Sequence, residues 1–385
     1  MGNFPEFGRR RLVDFNLDKG LLHLNHGGYG ATPRVVLKAA EAARSAMEGD
    51  PTGFFRYELL GSLRNAAFRV AQFLGGNCED WAFVENATGG LNAVIASMRL
   101  APGDELICLS QVYGAVANTL RYHAERSRAR IVVLPVPVPF DDAAPLLAAL
   151  EAAIGPKTRL ACFDHITSGG AVVMPIAGLA EICRRHGVPV AVDGAHAPGQ
   201  VAFDVPALGV DWYVGNLHKW AFAAKGTGVI WCSPEYQGEL HPIAISHYLG
   251  QGFAAEFDYS GTRDNSNWLA VPAALDYFDG LGPEAVCAHN ASLAEAAGTL
   301  LAKAWGTETA AGPGFRPSMA SVRLPGLGGD RETLLRVAKR LRQQHGIIAG
   351  VMSLDGGLWI RVSAQIYNEI GDYERLAEIG RSLAA

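Results

Sequence analysis

The sequence predicts an α/β fold: a mostly parallel sheet sandwiched by helices, followed by a smaller α+β C-terminal domain. Three observations carry this. Between about residues 80 and 232, short β-rich runs alternate with stretches whose apolar residues recur at spacings of three and four. The chain has 385 residues, more than the roughly 250–300 at which one hydrophobic core stops growing. After about Trp268 the texture changes to helical stretches separated by short apolar runs.

In chain order, DELICLS (104–110), ARIVVLPV (129–136), TRLACFDHI (158–166), VPVAVDGA (188–195), VDWYVGN (210–216) and TGVIWCS (227–233) read as strands. GGLNAVIASMRL, GAVANTLRYHAERS, APLLAALEAAI and IAGLAEICRRHG, between them, read as helices. Strand, helix, strand repeated this way implies parallel strands covered on both faces. Ligands bind beyond the carboxyl ends of such strands, so strand-end residues are the ones to inspect. Helices over 270–280, 284–305 and 330–346 then flank MASVRLPG and LWIRVSA. The expected division is an N-terminal arm (1–20), a large domain (21–268) and a small domain (269–385), with the N-terminal segment free to pack against the small domain.

Hydrophobic residues make up 49% and charged residues 18%, with a net charge of −5, which suits a compact soluble protein and argues against a basic nucleic-acid binder. The apolar runs fall far short of the roughly 20 residues of a membrane-spanning helix. The arginine cluster near the N-terminus has no apolar stretch behind it, so no secretory signal is visible and the cytosol is the expected compartment. Six cysteines without a C-x-x-C pair argue against a zinc site and a disulfide scaffold, and no metal is expected.

Asp193 ends an apolar strand, where an acid serves either as a cap or as a buried carboxylate facing a ligand. Gly194 and Ala195 after it offer a nearly bare backbone over which a flat group could lie, and His196 follows. Lys219, in DWYVGNLHKW, stands at the next strand end. Asp193 and Lys219 make either a buried ion pair or the two groups that pyridoxal phosphate needs: an amine for its aldehyde and an anion for its ring nitrogen. A free lysine, with a pKa of about 10.4, must be helped toward neutrality by desolvation or nearby cations. Asn86, Ala87, Thr88, Gly89 and Gly90 open a helix after a short β-like run, as a phosphate-binding turn or a plain N-cap. They match neither the P-loop nor the dinucleotide fingerprint. Tyr113 is a packing residue or a ring stacker. Thr262 and Arg263 lie in a turn that could equally be a lid or a contribution from a second subunit. Arg361, mid-strand between Ile360 and Val362, has either a substrate carboxylate or an internal acid as its partner.

Taken together, LNHGGYGATP, ENATGG, VYGA, DGAHAPG, GNLHKW, SGTRD and WIRVSAQIYN make the chain resemble, over almost its whole length, the class V aminotransferase family of fold-type I pyridoxal-phosphate enzymes, in the subgroup similar to isopenicillin N epimerase. The resemblance implies that Lys219 forms the Schiff base and acts as acid and base at the substrate Cα. It implies that Asp193 pairs with the ring nitrogen, Tyr113 stacks on the ring where many relatives carry histidine, and His196 stands near the ring hydroxyl. Asn86, Ala87, Thr88, Asn216 and His218 match phosphate-side positions. Thr262 matches a phosphate contact that crosses from a partner subunit, which implies a homodimer. Arg361 matches the arginine for the substrate α-carboxylate, and Asn25, His26, Gly28, Phe55 and Arg56 would line the substrate mouth.

Cysteine desulfurases of this family carry a catalytic cysteine in the C-terminal part of the chain, whereas this sequence has none after Cys287, which disfavours a protein persulfide. C–S β-elimination from a cysteine S-conjugate is the expected reaction. Epimerisation at Cα is the alternative, followed by decarboxylation-coupled oxidative deamination in a natural-product pathway, or transamination. A binding protein without catalysis on the same scaffold is the alternative from another class.

Overall fold

The structure, a computed structural model, describes residues 6–383, so the first five residues of the expected arm lie outside the described residues. Seven strands form the central sheet: β1 (Trp81–Val84), β2 (Glu105–Leu109), β3 (Arg130–Leu134), β4 (Thr158–Asp164), β5 (Val190–Gly194), β6 (Trp212–Asn216) and β7 (Gly228–Cys232). Their order is β1-β7-β6-β5-β4-β2-β3, and β7 runs antiparallel to both of its neighbours while the other pairs are parallel.

Except in the edge strand β3, where only Leu134 is buried, side chains alternate between two buried faces, which is why these strands read as continuous apolar runs. Leu160, Cys162, Ala191, Trp212 and Val214 join the core under the helices Ala87–Ser97 and Gly114–Ser127. Ala161, Phe163, Val190, Val192 and Tyr213 join the larger core under Leu59–Leu74, Ala144–Ala153 and Ile176–Arg185. The first helix packs so closely on β6 that a methyl group at Gly90 would overlap Val214 Cγ1.

The second sheet is antiparallel, in the order β9-β10-β8, from β8 (Met319–Gly328), β9 (Gly350–Leu354) and β10 (Gly357–Ser363). Helices Pro283–Trp305, Arg331–His345 and Ile370–Leu383 accompany it. Leu22 and His23 pair in parallel with Ile347 and Ile348, and Leu24 is buried in the small core. Helix Val271–Leu281 instead places Val271, Ala274 and Leu275 in the large core. No helix among the described residues is long and apolar enough to cross a membrane.

Two local features depart from the sequence pattern. β9 (GVMSL) mixes glycine and serine into a short run, and cross-strand pairing with β10 makes it a strand. The strand expected over 210–216 does end at Asn216, but Leu217–Trp220 then forms one helical turn, so Lys219, expected at the strand end, is carried on that turn.

Gly90→Ala should destabilise the protein by about 1–3 kcal/mol through overpacking against Val214. Gly280→Ala, on an exposed helical position with open space around it, should stabilise by roughly 0.5–1 kcal/mol. Urea denaturation of both variants checks the contrast, and equal effects would contradict the close packing.

Candidate active site

Strand alternation puts Asp164, Asp193 and Asn216 on the same face of the sheet at its carboxyl edge, the face that also carries the helix Ala87–Ser97. Asp164 and Asp193 are direct register partners on adjacent parallel strands. Beyond this edge lies a cavity of about 380 Å³ lined by Asn86, Ala87, Thr88, Tyr113, Asp193, His196, Asn216, His218 and Lys219, together with Gly28, Tyr29, Asp164, Ile166, Ser168 and Ala195. That volume falls at the small end of the range for small-molecule sites.

The Lys219 turn is fixed from several sides. His26 Nε2 donates to the Lys219 carbonyl oxygen at 2.8 Å, and the other ring nitrogen lies 2.9 Å from Tyr367 Oη. The His218 N–H donates to the Thr227 carbonyl at 3.2 Å. Gly30 and Gly199, both with positive φ, come so close to the backbone of His218 and Trp220 that no side chain fits there. The Lys219 amine points into the cavity, 3.1 Å from His196 Nε2. Burial, then the charge of Arg361, lower its pKa to about 7, against the opposing pull of Asp193. A substantial fraction of this amine is therefore neutral and nucleophilic at neutral pH.

Burial also pushes His196 well below its ordinary range, with Lys219 and Arg361 adding to the effect, so it is a neutral imidazole; its buried Nδ1 has no partner among the described residues. Asp193 accepts the Ala195 N–H at 3.0 Å. Its pKa is raised by burial and drawn back by that hydrogen bond and by Lys219.

At the opposite wall the helix Ala87–Ser97 begins. Asn86 caps it by accepting the Gly89 N–H at 3.0 Å, and Asn216 accepts the Ala87 N–H at 2.8 Å. Gly90 N–H reaches the Asn86 carbonyl, which leaves the Thr88 N–H as the first-turn donor without a hydrogen bond among the described residues. Asn86 is thus both the cap and part of the anion-facing turn.

Arg361 reaches across from the small domain. It is 2% exposed. Nη1 donates to the Ser168 carbonyl at 2.7 Å and to Ser168 Oγ at 3.2 Å, and Nη2 donates to Asn25 Oδ1 at 3.1 Å. Nε has no partner, and among the described residues no carboxylate pairs with the guanidinium. Burial lowers its pKa to about 10, which still leaves it charged.

Several expected residues fall elsewhere. His26 supports the backbone beneath Lys219 and does not line the cavity, because both of its ring nitrogens are engaged. Phe55 packs against the large core and Arg56 is exposed on the helical turn Phe54–Glu58, so neither reaches the cavity of its own chain. Thr262 lies in a loop outside the cavity, its hydroxyl 3.5 Å from Tyr259 Oη. Gly194 does not form a floor for a ligand, because its missing side chain makes room for the Tyr213 ring on the other face of the sheet; Ala195 lines the cavity. Asp164 and Ser168 went unmarked by sequence reasoning, although Asp164 ends an apolar strand just as Asp193 does.

The residues present fit pyridoxal phosphate. A partly neutral amine and a buried carboxylate share one cavity, a helix start with a free N–H faces its end, and Tyr113, 46% exposed at the mouth, can cover a ring. Among the described residues no group of three or more His, Cys, Asp or Glu is placed to hold a metal. Fold and site together define a pyridoxal-phosphate enzyme of fold type I.

The class V aminotransferase family model matches residues 30–376, and the chain belongs to that family. It is 33% identical to isopenicillin N epimerase of Amycolatopsis lactamdurans, over 96% of both chains. It is 28% identical to an L-cysteine desulfhydrase of Arabidopsis thaliana, over 93% of this chain and 87% of the relative. Among solved structures, the cystine C–S lyase C-DES in complex with cysteine persulfide superimposes with a TM-score of 0.80 over 95% of this chain and 98% of that one, at 22% identity, which speaks for the fold.

Charge coupling across the cavity can be read directly. Arg361→Leu should raise the pKa of Lys219 and Asp193→Asn should lower it, because the first removes a cation and the second an anion from its surroundings. The pH dependence of Lys219 labelling by an amine-reactive probe in the cofactor-free protein checks both directions, and a shift of the same sign in both variants would contradict the arrangement.

Proposed function

We propose that the chain is a pyridoxal-phosphate-dependent lyase acting on an amino acid, by C–S β-elimination from cysteine or a cysteine S-conjugate. The observation that carries the amino-acid reading is Arg361, a buried, charged guanidinium that has no acid partner and a free Nε among the described residues and whose charge acts on Lys219. Such a fork suits the α-carboxylate of a substrate. When bound, pyridoxal phosphate supplies an aldehyde for amines and an electron sink for negative charge developing at Cα.

The chain's own groups divide the remaining work. Lys219 would hold the aldehyde through Nζ and then move the proton at the substrate Cα. Asp193 would hold the proton on the ring nitrogen, and Tyr113 would cover the ring. Thr88 and the helix start, with His218 and Asn216 beside them, would take the phosphate. Asn25 and Ser168 hold the Arg361 guanidinium that would receive the substrate carboxylate.

Elimination of sulfur is supported by the desulfhydrase relatives and by the placement of the thiols. None of the six cysteines lines the cavity: four are buried in the cores, Cys78 is half-buried against the large core, and Cys287 approaches the Gly199 carbonyl in a different cleft. No protein thiol stands ready to receive sulfur, so it would leave as sulfide or a small thiol. Epimerisation is the second reading, favoured by the similarity to isopenicillin N epimerase over the whole chain. The exposed Thr262 loop, which its own cavity does not use, supports a homodimer in which it reaches the partner's phosphate site. The cytosol remains the proposed compartment.

Incubating the holoenzyme with L-cysteine, cysteine conjugates and other amino acids in D₂O, with mass spectrometric detection, tests the reaction. Pyruvate, ammonia and a released thiol are expected; deuterium at Cα without mass loss would establish epimerisation, CO₂ release would establish decarboxylation, and amination of an added keto acid would establish transamination. Lys219→Ala should lose the visible Schiff-base band and all turnover, and a wild-type protein that takes up no pyridoxal phosphate would overturn the cofactor reading.

Arg361→Leu should weaken amino-acid binding at least about tenfold, since hydrogen bonds to charged groups contribute about 1.5–3 kcal/mol, with little effect on cofactor affinity. Equal losses of both would make Arg361 structural. Thr262→Ala should weaken cofactor binding, and mixing it with Lys219→Ala chains should restore intact sites if Thr262 acts across the dimer.

A further inference from the structure

Asp164 is a second buried carboxyl in this cavity, and nothing in the proposed reaction uses it. It is 2% exposed, lines the cavity and stands beside Asp193 in register on the neighbouring parallel strand. Adjacent strands are only about 4.8 Å apart, so two side chains on one face at matched positions are close neighbours. One oxygen, Oδ1, accepts the Tyr113 N–H at 3.2 Å; Oδ2 is buried and has no donor among the described residues.

An ionised oxygen buried without a donor is costly, whereas a protonated one becomes a donor itself. The titratable group acting on Asp164 is Asp193 on β5; Asp164 in turn acts on Cys108 of β2 and Cys162 of its own strand, and the Lys219 amine acts on Asp193. None of these neighbours supplies Asp164 with a cation, and like charges at this separation do not both persist.

We infer that Asp164 is a positioning residue kept as the neutral acid, which anchors the Tyr113 backbone through one oxygen and presents an O–H to the Asp193 carboxylate through the other. The pair then carries one negative charge, matched to one ring-nitrogen proton, and Asp193 is oriented from behind by a donor. No proton leaves the pair, since Asp164 keeps its own and Asp193 stays free to face the ring. Asp164 thus links the ring-covering tyrosine to the ring-nitrogen carboxylate. The assignment rests on the cofactor reading for its purpose but not for the protonation state, which belongs to the chain alone.

Burial, then Asp193, hold the Asp164 carboxyl well above the ordinary carboxylate range. The folded protein therefore keeps a proton that the unfolded chain releases above a pKa of about 3.9, and the associated stability is full below that value and is lost as pH rises toward the raised pKa. Asp164→Asn keeps the shape, the Tyr113 acceptor and a donor toward Asp193, but cannot ionise. The test compares melting temperatures of cofactor-free wild type and Asp164→Asn from pH 4.5 to 8, and spectrophotometric titration of the Schiff base in both and in Asp164→Leu. The wild type should lose stability relative to Asp164→Asn as pH rises, by about 2 °C or more across the range. Asp164→Asn should keep the wild-type Schiff-base midpoint to within about 0.3 units, while Asp164→Leu, which offers no donor, should move it by about one unit, corresponding to a tenfold change in proton affinity. Parallel melting curves for wild type and Asp164→Asn would overturn the proposal, as would identical midpoints for the Asn and Leu variants. If the wild type takes up no pyridoxal phosphate, the cofactor reading fails and the melting curves alone decide the protonation of Asp164.

Discussion

The constraint on which the site depends is the removal of ionisable groups from water at one edge of a parallel sheet. Lys219, Asp193, Asp164, His196 and Arg361 all lose most of their hydration there, and burial is the first cause of every shift among them. Burial penalises the charged form, so each group keeps its charge only where a neighbour supports it. Lys219 is poised because its neighbours disagree: Arg361 pushes its proton off and Asp193 holds it on. An amine near pKa 7 is the result of that balance, and it depends on the side chains being held in place.

The holding is done mostly by backbone. The Lys219 turn is clamped between the His26 ring, the Thr227 carbonyl and the close approach of Gly30 and Gly199. On the far side Asn216, the residue that ends β6, ties the start of the helix Ala87–Ser97 to the sheet. The amine and the helix start therefore lie on either side of one short strand end, joined by the Asn216–Ala87 hydrogen bond and the three-residue step from Asn216 to Lys219. Arg361 differs, because it arrives from β10 in the other sheet and is held by Asn25 and Ser168. The N-terminal stretch that supplies Asn25 is itself paired to the small-domain core through Leu22 and His23. The surroundings of Arg361 consequently exist only where the N-terminal segment, the central sheet and the second sheet meet.

This explains what was legible in the sequence. The alternation of β-rich and amphipathic stretches marked six of the seven central strands, and the mostly parallel architecture followed, because strands buried on both faces leave an unmistakable apolar signature. The cavity-lining residues were legible from motifs at strand ends: Lys219, Asp193, His196, Tyr113 and the turn at Asn86 all line one cavity. Residues whose role depends on a turn's direction were not. His26 belongs to the same motif as Asn25 and Gly28, yet one helical turn aims its ring at the Lys219 carbonyl. Arg56 is directed to solvent by the turn Phe54–Glu58, and Gly194 serves the packing of Tyr213 because strand parity, which its sequence context does not display, points it away from the ligand.

Asp164 shows the same limit from the other side. TRLACFDHI and VPVAVDGA end alike, each with an acid after an apolar run, and neither string says that the two acids face each other. That relation appears only when β4 and β5 pair in parallel with Asp164 opposite Asp193. Two equivalent buried carboxyls side by side cannot remain equivalent, since a single positive charge nearby settles which is ionised. Lys219 acts on Asp193, and the unpartnered oxygen belongs to Asp164, so the asymmetry is already present in the protein before any ligand enters. The electrostatic polarity of the site is in this sense a property of strand register: moving either strand by one residue would turn one carboxyl to the opposite face and leave Asp193 without its neighbour.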